Sequence, residues 1–127
     1  MTSAFRLIHL AAISLFVVCC VVQIFLAGLG VFSDPAQFEA HRNFGYTFGL
    51  LLLVILIAAI AGRMGRWQIG MAILLMVLFA LQSVFVALRS SAPTIAALHP
   101  LNGFLILLVA IVVARAAWTS RQPIAAP

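Results

Sequence analysis

Acidic side chains are almost absent from this sequence. Among 127 residues there are two, Asp34 and Glu39, and all seven basic residues are arginine. With so few acidic residues, no apolar segment contains a carboxylate pair or a Ser-His-Asp arrangement. The sequence also contains no phosphate-binding loop. The apolar segments also lack Asp, Glu and Lys, the groups that line the path of a proton-coupled transporter. The sequence therefore favours an electron-transfer or accessory membrane protein over an enzyme.

Polar residues of every kind are scarce. The hydrophobic set makes up 66% of the chain and charged residues only 7%, with a mean hydropathy of +1.29. About 20 apolar residues cross the hydrocarbon core of a bilayer, and four such runs occur, at about 6–29, 40–62, 67–89 and 97–118. The first run exceeds the roughly 7–15-residue core of a secretory signal. We therefore predict an all-α integral membrane four-helix bundle, a single transmembrane domain over residues 1–127.

The arginines predict the orientation of the chain in the membrane. A net charge of +5 would suggest a nucleic-acid partner in a soluble protein, but here the arginines are better interpreted as topology markers. Arg42 and Arg89 lie near the first and third loops. The other five lie at the two termini and in the second loop: Arg6, Arg63, Arg66, Arg115 and Arg121. Positive residues concentrate on the cytoplasmic side, so both termini are predicted to be cytoplasmic.

The two cysteines carry no functional signal. Cys19 and Cys20 are adjacent in the first apolar run. Neighbouring side chains on a helix point about 100° apart, which makes a shared metal difficult. Free cysteines usually behave as small apolar residues, and we assign these two no role.

The sequence contains an internal repeat. At an offset of 58 residues His41 aligns with His99 and Gly45 with Gly103. The motif His-x-x-x-Gly at His41 begins the second apolar run, and the one at His99 begins the fourth. This predicts two helical hairpins of the same orientation, related by a pseudo-twofold axis along the membrane normal.

A neighbouring offset aligns further polar residues. At 59 residues Gln23 aligns with Gln82 and His9 with Gln68. Gln23 and Gln82 either form interhelical hydrogen bonds, worth about 0.6–2 kcal/mol, or line a cofactor or quinone pocket. His9 lies at the opposite end from the histidine pair, where we expect an interfacial histidine or a second cofactor site. Asn102 is expected to hydrogen-bond the outer loops.

The repeated histidines suggest a cofactor site. A twofold axis between the second and fourth helices would aim His41 and His99 at each other from the same depth, near the outer face. Neutral imidazole is a good axial ligand of haem iron. A single zinc or copper ion would have only these two ligands and an incomplete coordination shell. We predict one b-type haem, with His41 and His99 as the metal ligands.

Other residues have expected roles in the same site. Gly45 and Gly103, one helical turn beyond the histidines, would leave room for the flat macrocycle. Arg42 and Arg89, at the outer surface, would pair with its two propionates. In the alternative interpretation the histidines lie in the headgroup region and the glycines serve helix packing.

Four short motifs support a resemblance that covers essentially the whole chain: VQIFLAGLGVF, HRNFG, LQSVFVAL and LHPLNG. In these motifs and their order the chain resembles a bacterial family of uncharacterised small four-span membrane proteins. That resemblance implies the bacterial inner membrane and no particular activity.

A more distant similarity is architectural. The paired histidines are similar to those in the haem-binding four-helix halves of haem A synthase and in cytochrome b561-type bundles. The b561 group implies two haems and four histidines, of which only His41 and His99 are matched here. The carboxylate that haem A synthase places near its reactive haem is missing, so oxidation of a haem substituent is not supported.

Two main functions follow from the sequence. The first is one-electron transfer, through the haem, to or from a quinone or a larger membrane complex. The second is that of a cofactor-free accessory subunit of a respiratory or photosynthetic assembly. A small transporter or channel is a third hypothesis, for which no polar path can be traced. The lipid bilayer is the expected environment in each case.

Overall fold

A computed structural model describes residues 2–120, which form helices and short connections without strands. Four stretches are long and apolar enough to cross a membrane, and we number them spans 1 to 4: Thr2–Phe32, Pro35–Ala61, Gly65–Ala87 and Pro93–Thr119. The all-α membrane bundle is thereby confirmed, and the protein is a multi-pass membrane protein whose environment is the lipid bilayer. Arg121, one of the predicted topology markers, lies outside the described residues.

Spans 2 and 4 are each built from more than one helix. The helices are α1 Thr2–Phe32, α2 Phe38–Gly49, α3 Leu51–Ala61, α4 Gly65–Ala87, α5 Pro93–Ala96 and α6 Leu98–Thr119, with a 3-10 turn, Pro35–Gln37, ahead of α2. Asp34 begins that turn, because its side chain accepts a hydrogen bond from the amide of Ala36. Short connections of this kind make consecutive spans antiparallel neighbours.

The four spans occupy the corners of a square. Span 1 packs against α2 and α3 of span 2 and against α6 of span 4, and span 3 packs against α3 and α6. Spans 2 and 4 therefore face each other across one diagonal of the bundle. This arrangement positions the two helices that carry His41 and His99. The pseudo-twofold relation between the hairpins stays a prediction.

Aromatic rings fill the middle of the bundle. Phe48 is the hub, with ring centroids 5.3 Å from Phe16, 5.4 Å from Phe79 and 5.3 Å from Phe44. We call these four residues the phenylalanine cluster. Phe16 is fully buried. The outward faces of the helices are also apolar, which suits contact with lipid tails.

Span 2 is interrupted between α2 and α3. The amide of Leu50 donates to the carbonyl of Thr47 over 3.3 Å, and that of Leu53 to the carbonyl of Leu50 over 3.2 Å. These i to i+3 bonds are those of a 3-10 turn. Beside the turn, a Cβ on Gly49 would lie 2.6 Å from the ring of Phe79. The interruption therefore lies beside a close contact between span 2 and Phe79 of span 3.

A tight turn joins spans 2 and 3. Arg63 and Gly65 have positive φ angles of 49° and 78°, a conformation that glycine adopts readily and other residues rarely. The Arg6 side chain donates to the carbonyl of Gly62 over 3.0 Å, which satisfies an acceptor left free at the end of α3. Arg6 and Arg63 thus lie together at the end of the bundle that also contains His9. We call the two ends the His9 end and the His41 end.

Candidate functional site

Two imidazole rings face each other at the His41 end. His41 of α2 and His99 of α6 have ring centroids 6.2 Å apart and ring planes inclined by 65°. Both side chains are partly buried. The two histidines that the repeat aligned are thus neighbours in space, across the diagonal between spans 2 and 4.

Each ring is held by the span that precedes it in the chain. The Nδ1 atom of His41 lies 3.0 Å from the backbone carbonyl of Gln23, and that of His99 lies 3.2 Å from the backbone carbonyl of Gln82. A carbonyl only accepts, so the proton of each neutral ring is on Nδ1. The Nε2 atom of each ring then carries the lone pair and acts as an acceptor. Fixing one ring nitrogen in this way is how proteins orient a histidine that binds a metal through the other.

The Gln23 side chain makes the two rings different. The Nε2 atom of Gln23 donates to the backbone carbonyl of His41 over 2.9 Å. The same amide nitrogen lies 3.2 Å from the ring Nε2 atom of His41. Both nitrogens of His41 are therefore engaged by one glutamine. Within residues 2–120, the Nε2 atom of His99 has no hydrogen-bond partner. For His41 to bind a metal, the amide of Gln23 must withdraw from it.

Gln82 is held by Asn102, which is 8% exposed. The Nδ2 atom of Asn102 donates to the side-chain Oε1 of Gln82 over 3.0 Å and to the backbone carbonyl of Leu78 over 2.8 Å. The expectation that Asn102 contacts the outer loops is therefore wrong. Asn102 is one turn inside α6, and its buried amide finds its hydrogen-bond partners on span 3. Sequence reasoning missed this contact, since Asn102 aligns with Phe44 at the offset of 58 that aligns the two histidines.

The two glycines lie against the two glutamine side chains. A Cβ on Gly45 would lie 2.9 Å from the Nε2 atom of Gln23, and one on Gly103 would lie 3.1 Å from that of Gln82. The glycine surfaces that we expected to receive a macrocycle are thus covered by amides. Glycine is needed at both places for a glutamine to reach between the helices. The room for a flat ring stays a prediction, and it requires the amides to move.

We expect Gly45→Ala to lower stability by about 1–2 kcal/mol relative to Gly28→Ala. The new methyl group would displace the amide of Gln23, whose two contacts to His41 are each worth about 1 kcal/mol. Gly28 is the matched control because it also lies in a helix, and a Cβ added there would have no neighbouring atom within 4 Å. Both changes therefore gain the same helix propensity. Thermal unfolding in detergent micelles measures the difference. Equal midpoints would show that the amide is not held in place.

The predicted propionate partners are both at the His41 end. The guanidinium of Arg42 lies 3.9 Å from the carboxylate of Glu39, and the two side chains are 62% and 72% exposed. An exposed pair at this distance contributes little to stability. Arg89 is exposed, just beyond the end of α4. Both arginines are therefore free to take another anionic partner.

His9 is buried at the opposite end of the bundle. Its side chain is fully enclosed, and its Nδ1 atom lies 3.0 Å from the backbone carbonyl of Ile55. The expectation of an interfacial histidine is wrong, because α1 begins at Thr2 and carries His9 well inside the span. The repeat could have indicated this burial, because it aligns His9 with Gln68. The structure shows that both side chains are buried.

The donor set of the histidine pair fits haem better than a single ion. Within residues 2–120 no group of three or more His, Cys, Asp and Glu side chains could hold a metal. A haem iron receives four bonds from its macrocycle and needs only two axial ligands. Imidazole binds metals at about 2 Å, so two rings in line across an iron would have centres about 6 Å apart. The observed centroid separation of 6.2 Å is compatible with this distance, while the rings contact each other edge to face at 65° and the Gln23 amide lies on the Nε2 atom of His41.

Comparison with known proteins identifies a family for the chain. No curated protein and no solved structure matches the chain. A family model, described as a family of unknown function, DUF6220, matches residues 23–89. The matched segment contains Gln23, His41 and Gln82 and ends before His99. Because the match spans more than half of the 127 residues, the chain belongs to the family of unknown function DUF6220.

Proposed function

We propose that the protein is a small membrane b-type cytochrome that binds one haem through His41 and His99. Its function would be one-electron transfer to or from a quinone or a larger membrane complex. The observation that carries the proposal is the facing pair of imidazoles, 6.2 Å apart, each with Nδ1 fixed by a backbone carbonyl. Axial ligation requires preoriented imidazoles with accessible Nε2 lone pairs: the Nε2 atom of His99 meets this requirement as it stands, and that of His41 does so once the Gln23 amide moves away.

The surrounding residues would tune the site. The carbonyls of Gln23 and Gln82 keep the proton of each ring on Nδ1 and strengthen Nε2 as a ligand. The phenylalanine cluster lies on the inner side of the pair and keeps water away. When bound, haem supplies a one-electron couple, whose potential depends on the axial ligands and on the dryness of the site. This chain's own part is to ligate, orient and exclude solvent.

The charge distribution supports an orientation for this site. Arg42 and Arg89 lie at the His41 end and supply guanidinium groups for the two carboxylates of haem. Four described arginines lie at the other end: Arg6, Arg63, Arg66 and Arg115. By the positive-inside rule, we infer that both termini face the cytoplasm of a bacterial inner membrane. The histidine pair would then lie near the outer face.

An absorption spectrum of the purified protein tests the proposal. The full chain is produced in cells supplied with a haem precursor and purified in mild detergent. We expect a Soret band with sharp α and β bands on reduction, as for a low-spin iron with two nitrogen ligands, at about one haem per chain. A colourless protein that does not take up added haemin would overturn the proposal.

A cofactor-free accessory subunit is the second candidate, and one observation favours it. Both ring nitrogens of His41 have partners within the protein, so this histidine is satisfied without a ligand. In that case the apolar outer faces of the bundle would dock on a larger complex. Gentle solubilisation should then yield a large assembly that contains the colourless protein. A solitary colourless species would argue against this candidate as well.

A further inference from the structure

A groove runs along the lipid-facing side of α6 at the His41 end. It is an open depression with a volume of about 460 Å³. The walls reach the outer surface of the bundle, since Leu101 and Leu108 are 65% and 61% exposed. One polar side chain lies among the apolar residues that line it: Phe85, Leu98, Leu101, Asn102, Phe104, Leu105 and Leu108. A ligand would enter from the bilayer.

The polar atom available in this groove is a hydrogen-bond acceptor. Asn102 uses Nδ2 to donate to the backbone carbonyl of Leu78 and to Gln82. The amide cannot be turned over, because its Oδ1 atom would then face the Leu78 carbonyl, which only accepts. The hydrogen bonds formed among residues 2–120 leave Oδ1 without a donor. The groove therefore requires a donor from its occupant.

Lipid tails and oxidised quinones do not meet this requirement. Lipid tails have no donor, and an unpaired acceptor in apolar surroundings costs about 1–3 kcal/mol. The ring oxygens of a quinone are acceptors and would face Oδ1 unfavourably. The reduced form has the same ring with two hydroxyl donors. Phe85 and Phe104 add aromatic surface to the groove, which favours an aromatic ring as the occupant.

The groove is directly connected to the histidine pair. Asn102 binds the side chain of Gln82, and His99 binds the backbone carbonyl of the same residue. A ligand on Oδ1 of Asn102 would thus be separated from His99 by a single residue.

From this arrangement we propose that the groove is a binding site for a membrane quinol, the reduced and hydroxyl-bearing form of a quinone, with Asn102 as its acceptor. The role of this quinol as electron donor to the histidine pair rests on the proposed function. The binding site itself does not.

Three ring compounds test the proposal on the full-length protein in lipid nanodiscs. Tetramethylhydroquinone, its dimethyl ether and tetramethylbenzoquinone share shape and apolar bulk but differ in hydrogen-bond donors. Equilibrium dialysis, corrected with empty nanodiscs, measures binding. We expect the hydroquinone to bind at least tenfold more tightly than the other two, and Asn102→Leu to remove this preference. Equal binding of the three compounds to the wild-type protein would overturn the proposal.

A second pair of variants leaves Asn102 in place. Leu105→Trp fills the groove, whereas Leu53→Trp adds the same bulk to a lipid-facing position of α3, and the two leucines are similarly exposed, at 45% and 48%. We expect Leu105→Trp to weaken hydroquinone binding at least tenfold and Leu53→Trp to leave it unchanged. Undiminished binding to Leu105→Trp would overturn the proposal.

The haem spectrum of the same preparations separates the two proposals. A protein that binds haem but does not prefer the hydroquinone refutes the quinol site alone. A protein that binds no haem but prefers the hydroquinone refutes the proposed cytochrome function. If the Leu105→Trp variant of that protein no longer binds the hydroquinone, the quinol site is supported.

Discussion

His41→Ala and His99→Ala are each expected to abolish the low-spin haem spectrum and to lower haem affinity more than about 100-fold. Loss of a residue that merely orients a ligand costs about 10–100-fold in metal affinity, and these changes remove the ligand itself. No cluster of metal-binding side chains within residues 2–120 offers a replacement. Titration of the purified variants with haemin, followed at the Soret and α bands, measures the loss.

Two controls accompany these variants. His9→Gln keeps a donor for the carbonyl of Ile55 at the far end of the bundle, so the spectrum should be unchanged. His41→Met replaces one imidazole by a thioether, and we expect a six-coordinate iron with a raised reduction potential. A normal spectrum in the double variant of His41 and His99 would contradict the assignment of the ligands. A spectrum lost in His9→Gln alone would place the haem at the other end.

Phe16→Ala should destabilise the bundle by about 3 kcal/mol. Phe16 is fully buried, and its ring packs against Phe48 and Phe79, with centroids 5.3 and 6.1 Å away. Truncation of a buried phenylalanine usually costs about 3–5 kcal/mol. The lower end of this range applies because lipid tails are as apolar as the protein interior. Transfer of the ring out of the core therefore costs little, and the lost stability comes mainly from the cavity. Unfolding of the protein in mixed micelles, as the fraction of denaturing detergent rises, measures it.

Phe25→Ala is the matched control for this change. Phe25 lies in the same helix, α1, but faces outward and is 64% exposed. Its truncation opens no cavity, and we expect a change below about 0.5 kcal/mol, as for other surface substitutions. If both variants unfold at the same detergent fraction, the phenylalanine cluster is not the packing centre of the bundle.

The bundle was predictable from the sequence because its signal is long and redundant. Each span needs only an apolar run of sufficient length, and errors at single positions do not matter. The exact bounds were less predictable. The apolar run at about 6–29 became a helix from Thr2 to Phe32, because apolarity reports the hydrocarbon thickness whereas a helix continues into the headgroup region. The 3-10 turn at Leu50 also escaped prediction, since it lies inside a uniformly apolar run and accompanies a contact with Phe79.

The candidate site was predictable in its histidines and less so in their surroundings. The repeat identified His41 and His99 because scarce polar residues stand out in an apolar chain. The partner of Asn102 could not be read from the sequence, since a buried amide can reach any nearby carbonyl. The sequence also could not show that the amides of Gln23 and Gln82 lie over Gly45 and Gly103. A glycine is equally compatible with an incoming ring and with a neighbouring side chain.

The hydrogen bonds from the histidines have a consequence for assembly. Gln23 and His41 belong to the first hairpin, and Gln82 and His99 to the second. Each hairpin thus contains a histidine together with the carbonyl that orients it, and lacks only the opposing ring. Under the predicted pseudo-twofold relation, two copies of one hairpin would supply the same pair of rings. On the proposed function, we therefore expect residues 2–62 and 65–120, expressed as separate chains, to join around a shared haem. The short turn at Arg63 would then be a link between two halves and not a condition of assembly.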